Sequence, residues 1–171
     1  MSDQAETTVI VDTNHGAFKI ALDATRAPKT VENFLRYVDD KHYEGTVFHR
    51  VIDGFMVQGG GYDERYERRP TREPVENEAH NGVKNTRGTV AMARTGEPHS
   101  ATAQFFVNVS DNAFLDHKSK EPRDYGYTVF GRVTEGMDVV DKIKGLKTGA
   151  VASFSKDAPL EPVVIRSVRR A

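Results

Sequence analysis

The residue types able to do chemistry in this chain are few, and their spacing narrows them further. There is no cysteine, which excludes disulfides, thiolate nucleophiles, Cys-based zinc sites and iron–sulfur clusters together. The six histidines, at 15, 42, 49, 80, 99 and 117, form no H-x-x-x-H pair, so no metal site is expected. His99-Ser100 lacks the Gly-x-Ser-x-Gly elbow of a hydrolase. Gly59-Gly60-Gly61 is followed neither by the helix and acidic residue of a dinucleotide fingerprint nor by a Walker-type lysine. What remains is a group of alternating positions: Arg50, Met56, Gln58, Gln104 and Phe106. They join one fixed positive charge and two amides to large apolar side chains. Such a mixture suits a shallow pocket, in which apolar walls bind and a few polar groups orient.

These residues must be carried by strands. Residues 46–52 and 55–59 flank Asp53-Gly54, a strong hairpin signal because the turn needs residues that accept positive φ. Alternation puts Val47 and Val51 on one face of the first run, Phe48 and Arg50 on the other. In the second run Phe55, Val57 and Gly59 alternate against Met56 and Gln58. In residues 104–109, Phe105, Val107 and Val109 form a uniformly apolar face opposite Gln104, Phe106 and Asn108. The apolar faces are core candidates. The mixed faces fit a pocket, and they equally fit outward faces with incidental apolar exposure.

Further β-type runs lie at 7–12, 16–22, 89–94, 127–133 and 163–168, making eight, with a turn at Thr13-Asn14-His15-Gly16. Pro28 suits the first turn of a helix carrying Val31, Phe34, Leu35 and Val38, and a second helical period runs over 135–143 through Met137, Val140 and Ile143. Many short strands with two amphipathic helices predict a mainly β fold, a closed or nearly closed antiparallel architecture with helices over its ends. Residues 61–84, 111–126 and 147–162 carry no clear period and read as long loops, which are often functional. Asn108-Val109-Ser110 matches a glycosylation acceptor but falls within a predicted strand.

Length and charge set the class. The 171 residues are 37 % hydrophobic, and 24 Lys plus Arg against 25 Asp plus Glu leave a net charge of −1. One domain over 1–171 is expected, with residues 1–6 as a flexible tail. The balanced charge gives no reason to expect nucleic acid or an anionic membrane as partner. No apolar run approaches the length of a membrane helix. The polar start of the chain shows no signal-peptide pattern, so a cytoplasmic location is expected.

The stretch Phe48-His49-Arg50-Val51-Ile52-Asp53-Gly54-Phe55-Met56-Val57-Gln58-Gly59-Gly60 resembles the signature of the cyclophilins, the cyclosporin-binding peptidyl-prolyl isomerases. Ala91-Met92-Ala93-Arg94, Ala103-Gln104-Phe105-Phe106-Val107-Asn108 and Val129-Phe130-Gly131 follow in the family's order. The likeness spans roughly residues 8–168. It is nearest the compact bacterial cytoplasmic type, through Asn85-Thr86-Arg87-Gly88-Thr89 and residues 135–141. The resemblance implies a closed eight-stranded antiparallel β-barrel capped by two α-helices.

It also implies cis/trans isomerisation of the peptide bond before proline, whose partial double-bond character makes rotation slow. No bond is broken, so no cofactor or metal is expected; the catalyst must bind the twisted amide better than either planar form. Arg50 would stabilise the twisted state, oriented by Gln58. Phe55, Met56, Phe106 and Leu115 would line the slot for the proline ring. Gln104 and the backbone around Ala93 and Arg94 would hold the residue before proline. His49 is placed with the substrate-binding residues by the motif, although alternation points it away from Arg50, and a hydrogen-bonded structural histidine competes with that role. Phe114 and Tyr127 occupy positions where the best-known eukaryotic members have Trp and His. Phe lacks the indole N–H donor, so catalysis is expected to survive and cyclosporin binding to be weak. The implied partners are proline-containing peptides and unfolded or flexible chains, handled by a monomer. The alternative is a proline-recognition or chaperone-like binding module with incidental isomerase activity.

Overall fold

The computed structural model describes residues 6–171. The expected tail lies outside the described residues except at Glu6, which opens the first strand. In chain order the elements are β1 (Glu6–Thr13), β2 (Gly16–Asp23), α1 (Pro28–Asp39), β3 (Thr46–Val47), β4 (Arg50–Ile52), β5 (Met56–Gly59), β6 (Thr89–Met92), β7 (Phe105–Asn108), β8 (Val129–Glu135), α2 (Met137–Lys144), β9 (Thr148–Val151), β10 (Phe154–Pro159) and β11 (Val164–Arg170). Nine strands form one sheet in the order β3-β11-β1-β2-β8-β6-β7-β5-β4, and β9 pairs with β10 in a separate hairpin.

The sheet is a strongly curled half-barrel of nine strands, which corrects the closed barrel of eight. The physical reason lies in residues 46–52, expected as one strand. The run breaks at Phe48-His49, β3 pairs with β11, and β4 pairs with β5. The two halves of a single run therefore become the two edges of the sheet. At the break the backbone finds partners off the ladder: Val47 donates its N–H to the Tyr62 carbonyl (2.9 Å) and Phe48 to that of Val163 (3.0 Å). A second correction concerns residues 147–162, read as loop. They hold the β9–β10 hairpin, whose register slips between Phe154 and Ala158 and whose alternation is hidden by polar residues.

Strand alternation builds the core on the inner face. Val51, Val57, Val107 and Val90 lie in register across β4, β5, β7 and β6 and are all buried. From α1, Phe34 enters the half-barrel and meets the rings of Tyr43, Phe105 and Phe130 at centroid distances of 5.3, 5.7 and 5.1 Å. Tyr37 is more deeply buried on this helix than Leu35, which only borders the core. The start of α1 has no side-chain cap from Ala27. Instead Glu78, from the long excursion over 61–84, accepts the Thr30 N–H (2.8 Å) and hydroxyl (2.7 Å). A carboxylate at a helix N-terminus satisfies free N–H groups and complements the helix dipole, so the excursion is anchored to the helix. The second helix starts at Met137 rather than at 135, because β8 continues through Glu135 and Gly136 turns the chain with φ +86°.

Candidate active site

The outer face of the same strands carries the mixed residues. Arg50 pairs with Gln58, Gln58 with Phe106, and Phe106 with Ala91, so one row crosses β4, β5, β7 and β6. Met56 and Gln104 stand two residues from this row on the same face. Behind them Met56, Ala91, Phe106, Leu115 and Val129 form a small apolar cluster of their own, bordered by Phe55, Ala93 and Tyr127.

This cluster floors a slot of about 110 Å³ lined by Arg50, Phe55, Met56, Gln58, Ala93, Arg94, Phe106, Leu115 and Tyr127. Volume alone does not single it out, since a hollow of about 450 Å³ lies elsewhere between Leu22, Arg26, Val83 and Val129. That hollow contains none of the residues the motifs select. The slot contains most of them.

Arg50 is exposed at its edge, with no carboxylate partner among the described residues. Its Nη1 donates to Gln58 Oε1 at 3.4 Å, and its guanidinium carbon lies 5.9 Å from the Phe55 ring centre. Gln58 Nε2 in turn donates to Gln104 Oε1 (3.0 Å). The guanidinium requires an acceptor, so this chain fixes which way both amides face. Opposite, Arg94 lies over the Tyr127 ring at 4.7 Å. Gly61 allows Gln104 its place: a Cβ there would meet the Gln104 side chain at 2.5 Å.

Phe55 joins the slot for a reason that alternation cannot supply. Strict alternation would set it opposite Met56, but β5 starts at Met56 and Phe55 sits in the preceding turn, where Gly54 has φ +80°. Three buried asparagines hold it there. Asn112 Nδ2 donates to the Phe55 carbonyl (2.8 Å) and to Asn108 Oδ1 (2.8 Å), and Asn108 Nδ2 donates to Asn85 Oδ1 (3.0 Å). Asn85 Nδ2 reaches the carbonyls of Leu115 (3.3 Å) and Tyr127 (3.4 Å). An amide chain thus ties three pocket residues together through their backbones. In the sequence Asn108 shares the mixed face with Gln104 and Phe106 and ends the motif that opens at Ala103, but neither signal names the partners of its amide. Complete burial also removes it as a glycosylation acceptor.

Three expected residues are absent from the slot lining: Gln104, which adjoins it through its bond to Gln58, and Phe114 and His49, which stand apart. Phe114 is 63 % exposed and packs on Phe55 at 5.5 Å, at the rim. His49 is buried on the other side of the strand, among Tyr62 (4.7 Å) and Phe154 (5.2 Å). It lines no part of the slot, and its Nδ1 has no hydrogen-bond partner among the described residues, so the hydrogen-bonded structural reading is corrected as well. Burial, with the Arg50 charge beside it, lowers its pKa to about 4. Among the described residues no group of three or more His, Asp or Glu could hold a metal ion.

The model of the family described as cyclophilin-type peptidyl-prolyl cis-trans isomerase matches residues 8–170. The chain is a cyclophilin. It is 57 % identical over 162 residues to peptidyl-prolyl cis-trans isomerase cyp18 of Streptomyces antibioticus, covering 95 % of this chain and 97 % of that one. It is 54 % identical to peptidyl-prolyl cis-trans isomerase B of Escherichia coli K12, over 94 % and 97 % of the two chains. A crystal structure of a Cryptosporidium parvum cyclophilin-type isomerase in the presence of the dipeptide Ala-Pro superposes with a TM-score of 0.77 at 23 % identity, covering 96 % of this chain and 98 % of that chain. The fold is thus that of the cyclophilins, and the activity is peptidyl-prolyl cis-trans isomerisation.

Proposed function

We propose that this cyclophilin accelerates rotation about X–Pro bonds through Arg50, with the proline ring seated in the slot formed by Phe55, Met56, Phe106 and Leu115. The single observation that supports this most is a guanidinium without a carboxylate partner among the described residues, at the rim of an apolar slot. A slot of about 110 Å³ suits one ring rather than a whole ligand of drug size, whose pockets run to several hundred Å³.

With the ring held, the carbonyl side of the bond turns. As conjugation is lost the prolyl nitrogen becomes pyramidal and regains a basic lone pair. Arg50 donates to that lone pair, an interaction unavailable in either planar form, and so lowers the barrier rather than merely tightening binding. Gln58 positions the guanidinium. Gln104, with the backbone around Ala93 and Arg94, holds the residue before proline. The substrates are exposed X–Pro bonds in flexible chains, because the slot opens on the surface. Cyclosporin binds weakly, since Phe114 offers no N–H donor.

NMR exchange on a proline peptide tests the assignment. Arg50→Ala should lose about 100-fold or more in kcat/KM with its thermal midpoint unchanged. Equal rates for the two proteins would refute the role of Arg50.

A further inference from the structure

Away from the slot, two segments without a repeating pattern bring a pair of imidazoles together. His80 stands on a short 3-10 helix, Ala79–Asn81, near the end of the excursion over 61–84, and His117 follows another, Ala113–Leu115. Distant in the chain, the two ring centres lie 6.3 Å apart with their planes at 69°. Two imidazole nitrogens bound to one transition-metal ion at about 2.0–2.1 Å each set their ring centres about 5–6.5 Å apart, depending on the angle at the metal. The pair already stands within that range.

The His117 ring is prepared for a ligand. Its Nδ1 lies 2.7 Å from the Tyr125 carbonyl oxygen. A carbonyl oxygen only accepts, so Nδ1 carries the proton and the Nε2 lone pair is left over. Metal-bound histidines are commonly oriented in this way, one nitrogen donating to a carbonyl while the other binds. The Tyr125 ring, edge to face at 5.0 Å, restricts the imidazole further. His80 is exposed, and its ring has no hydrogen-bond partner among the described residues. His99, the other ring against Tyr125 (5.2 Å), is committed differently. Its Nδ1 accepts the Asn77 N–H (3.1 Å), which leaves the proton on Nε2 and no lone pair to offer.

Both backbones are pinned by side chains. Buried Asn77 accepts the Ala79 N–H (2.8 Å) and the Thr128 hydroxyl (2.9 Å), and Thr128 Oγ1 accepts the Glu78 N–H (2.8 Å). Asp116, beside His117, accepts the Asn85 N–H (2.7 Å). Little backbone ordering is left for a ligand to impose.

We infer that His80 and His117 form a two-histidine site for a divalent transition-metal ion, Ni²⁺, Cu²⁺ or Zn²⁺, with His117 bound through Nε2. Imidazole is a preferred ligand of all three, and affinity should rise from Ni²⁺ to Cu²⁺ and fall again at Zn²⁺. The pair escapes the H-x-x-x-H pattern because its members meet only through the fold. No third His, Asp or Glu closes the site among the described residues, so solvent completes the coordination and the ion exchanges readily. Bound there, the ion joins the excursion that caps α1 to the segment carrying Leu115. The inference is independent of the seat of the proline ring.

Calorimetric titration of the untagged full chain with Ni²⁺ tests the site. One ion should bind per chain, and His80→Ala and His117→Ala should each weaken binding about tenfold or more, since loss of even a supporting partner costs that much. A chelate needs both rings, so the double variant should bind hardly more weakly than either single one. His99→Ala should leave the affinity unchanged. With Cu²⁺ as probe, electron paramagnetic resonance should show two coupled nitrogens in the wild-type protein and one in either single variant. Unfolding midpoints measured with a chelator present check that each variant folds. His117→Ala loses the Tyr125 bond, and should it fail to fold, His80→Ala, whose ring is exposed and unbonded, decides alone. No uptake of Ni²⁺ by the wild-type protein at millimolar free ion, an affinity unchanged in His80→Ala, or losses that merely add in the double variant would overturn the site.

Discussion

Val57 and Gln58 are neighbours in β5, yet they belong to different regions of the molecule. Val57 faces the inner core, a continuous apolar body running from Val9 to Val168 and covered by α1 and α2. Gln58 faces outward, beside the small cluster of Met56, Ala91, Phe106, Leu115 and Val129. The inner body is enclosed. The outer cluster is covered by loops, and its cover stops short at Arg50 and Phe55, where the slot opens. On the proposed reading, one sheet makes stability on one face and recognition on the other, with a period of two separating the tasks. Substitutions on the two faces should therefore differ in kind as well as in size.

The largest effect is expected inside. Phe34→Ala removes a ring that meets three others and should cost about 3–5 kcal/mol in denaturant unfolding. The kcat/KM of the molecules that remain folded should be unchanged. A proportional loss of turnover would show that the two regions are not separable.

Next comes His49, which lies at the boundary between them. Its pKa of about 4 in the folded protein is below the ordinary value of about 6.5, so the unfolded chain binds the proton more readily. The stabilisation is complete above about pH 6.5 and is lost as pH falls toward 4, with a ceiling of about 3 kcal/mol. His42, also lowered chiefly by burial, acts in the same direction. Urea midpoints at pH 7 and 4.5 should separate in the wild-type protein and draw together in His49→Phe, which keeps a ring between Tyr62 and Phe154. An undiminished separation in that variant would remove His49 from the account.

A smaller effect should come from the outer face. Asn112→Ala breaks the amide chain behind Phe55 and leaves buried acceptors unpaired, at about 1–3 kcal/mol. Unlike Phe34→Ala, it should also raise KM for a proline peptide, as Phe55 loses its support. An unaltered KM would make the asparagines purely structural.

Much of this organisation is legible in the sequence. The period of two sorts Val51, Val57 and Val107 from Arg50, Gln58 and Phe106, because a strand repeats its environment every second residue. The motif around residues 48–60 then points to the family. Phe55 escapes the period since it lies in a turn, and its place depends on Asn112, distant in sequence. His49 is drawn into the motif by proximity to Arg50, although the strand break sends its ring into an aromatic cluster completed by Phe154. His80 lies in a segment with no repeating pattern, where tertiary pairing alone decides which side chains meet. The break at Phe48-His49 is equally hidden: the sequence on either side is good strand, and only the partners chosen by β3 and β4 reveal two edges in place of one closed wall.

Those edges are two and three residues long. A protein that meets loose, extended chains would be at risk if it offered them a long open ladder, since unpaired backbone invites strand addition and aggregation. Such abbreviated margins give a visitor almost no template. On the proposed reading, clients are held by side chains and by the short stretch of backbone around Ala93 and Arg94, with no long ladder to detain them once the proline has turned.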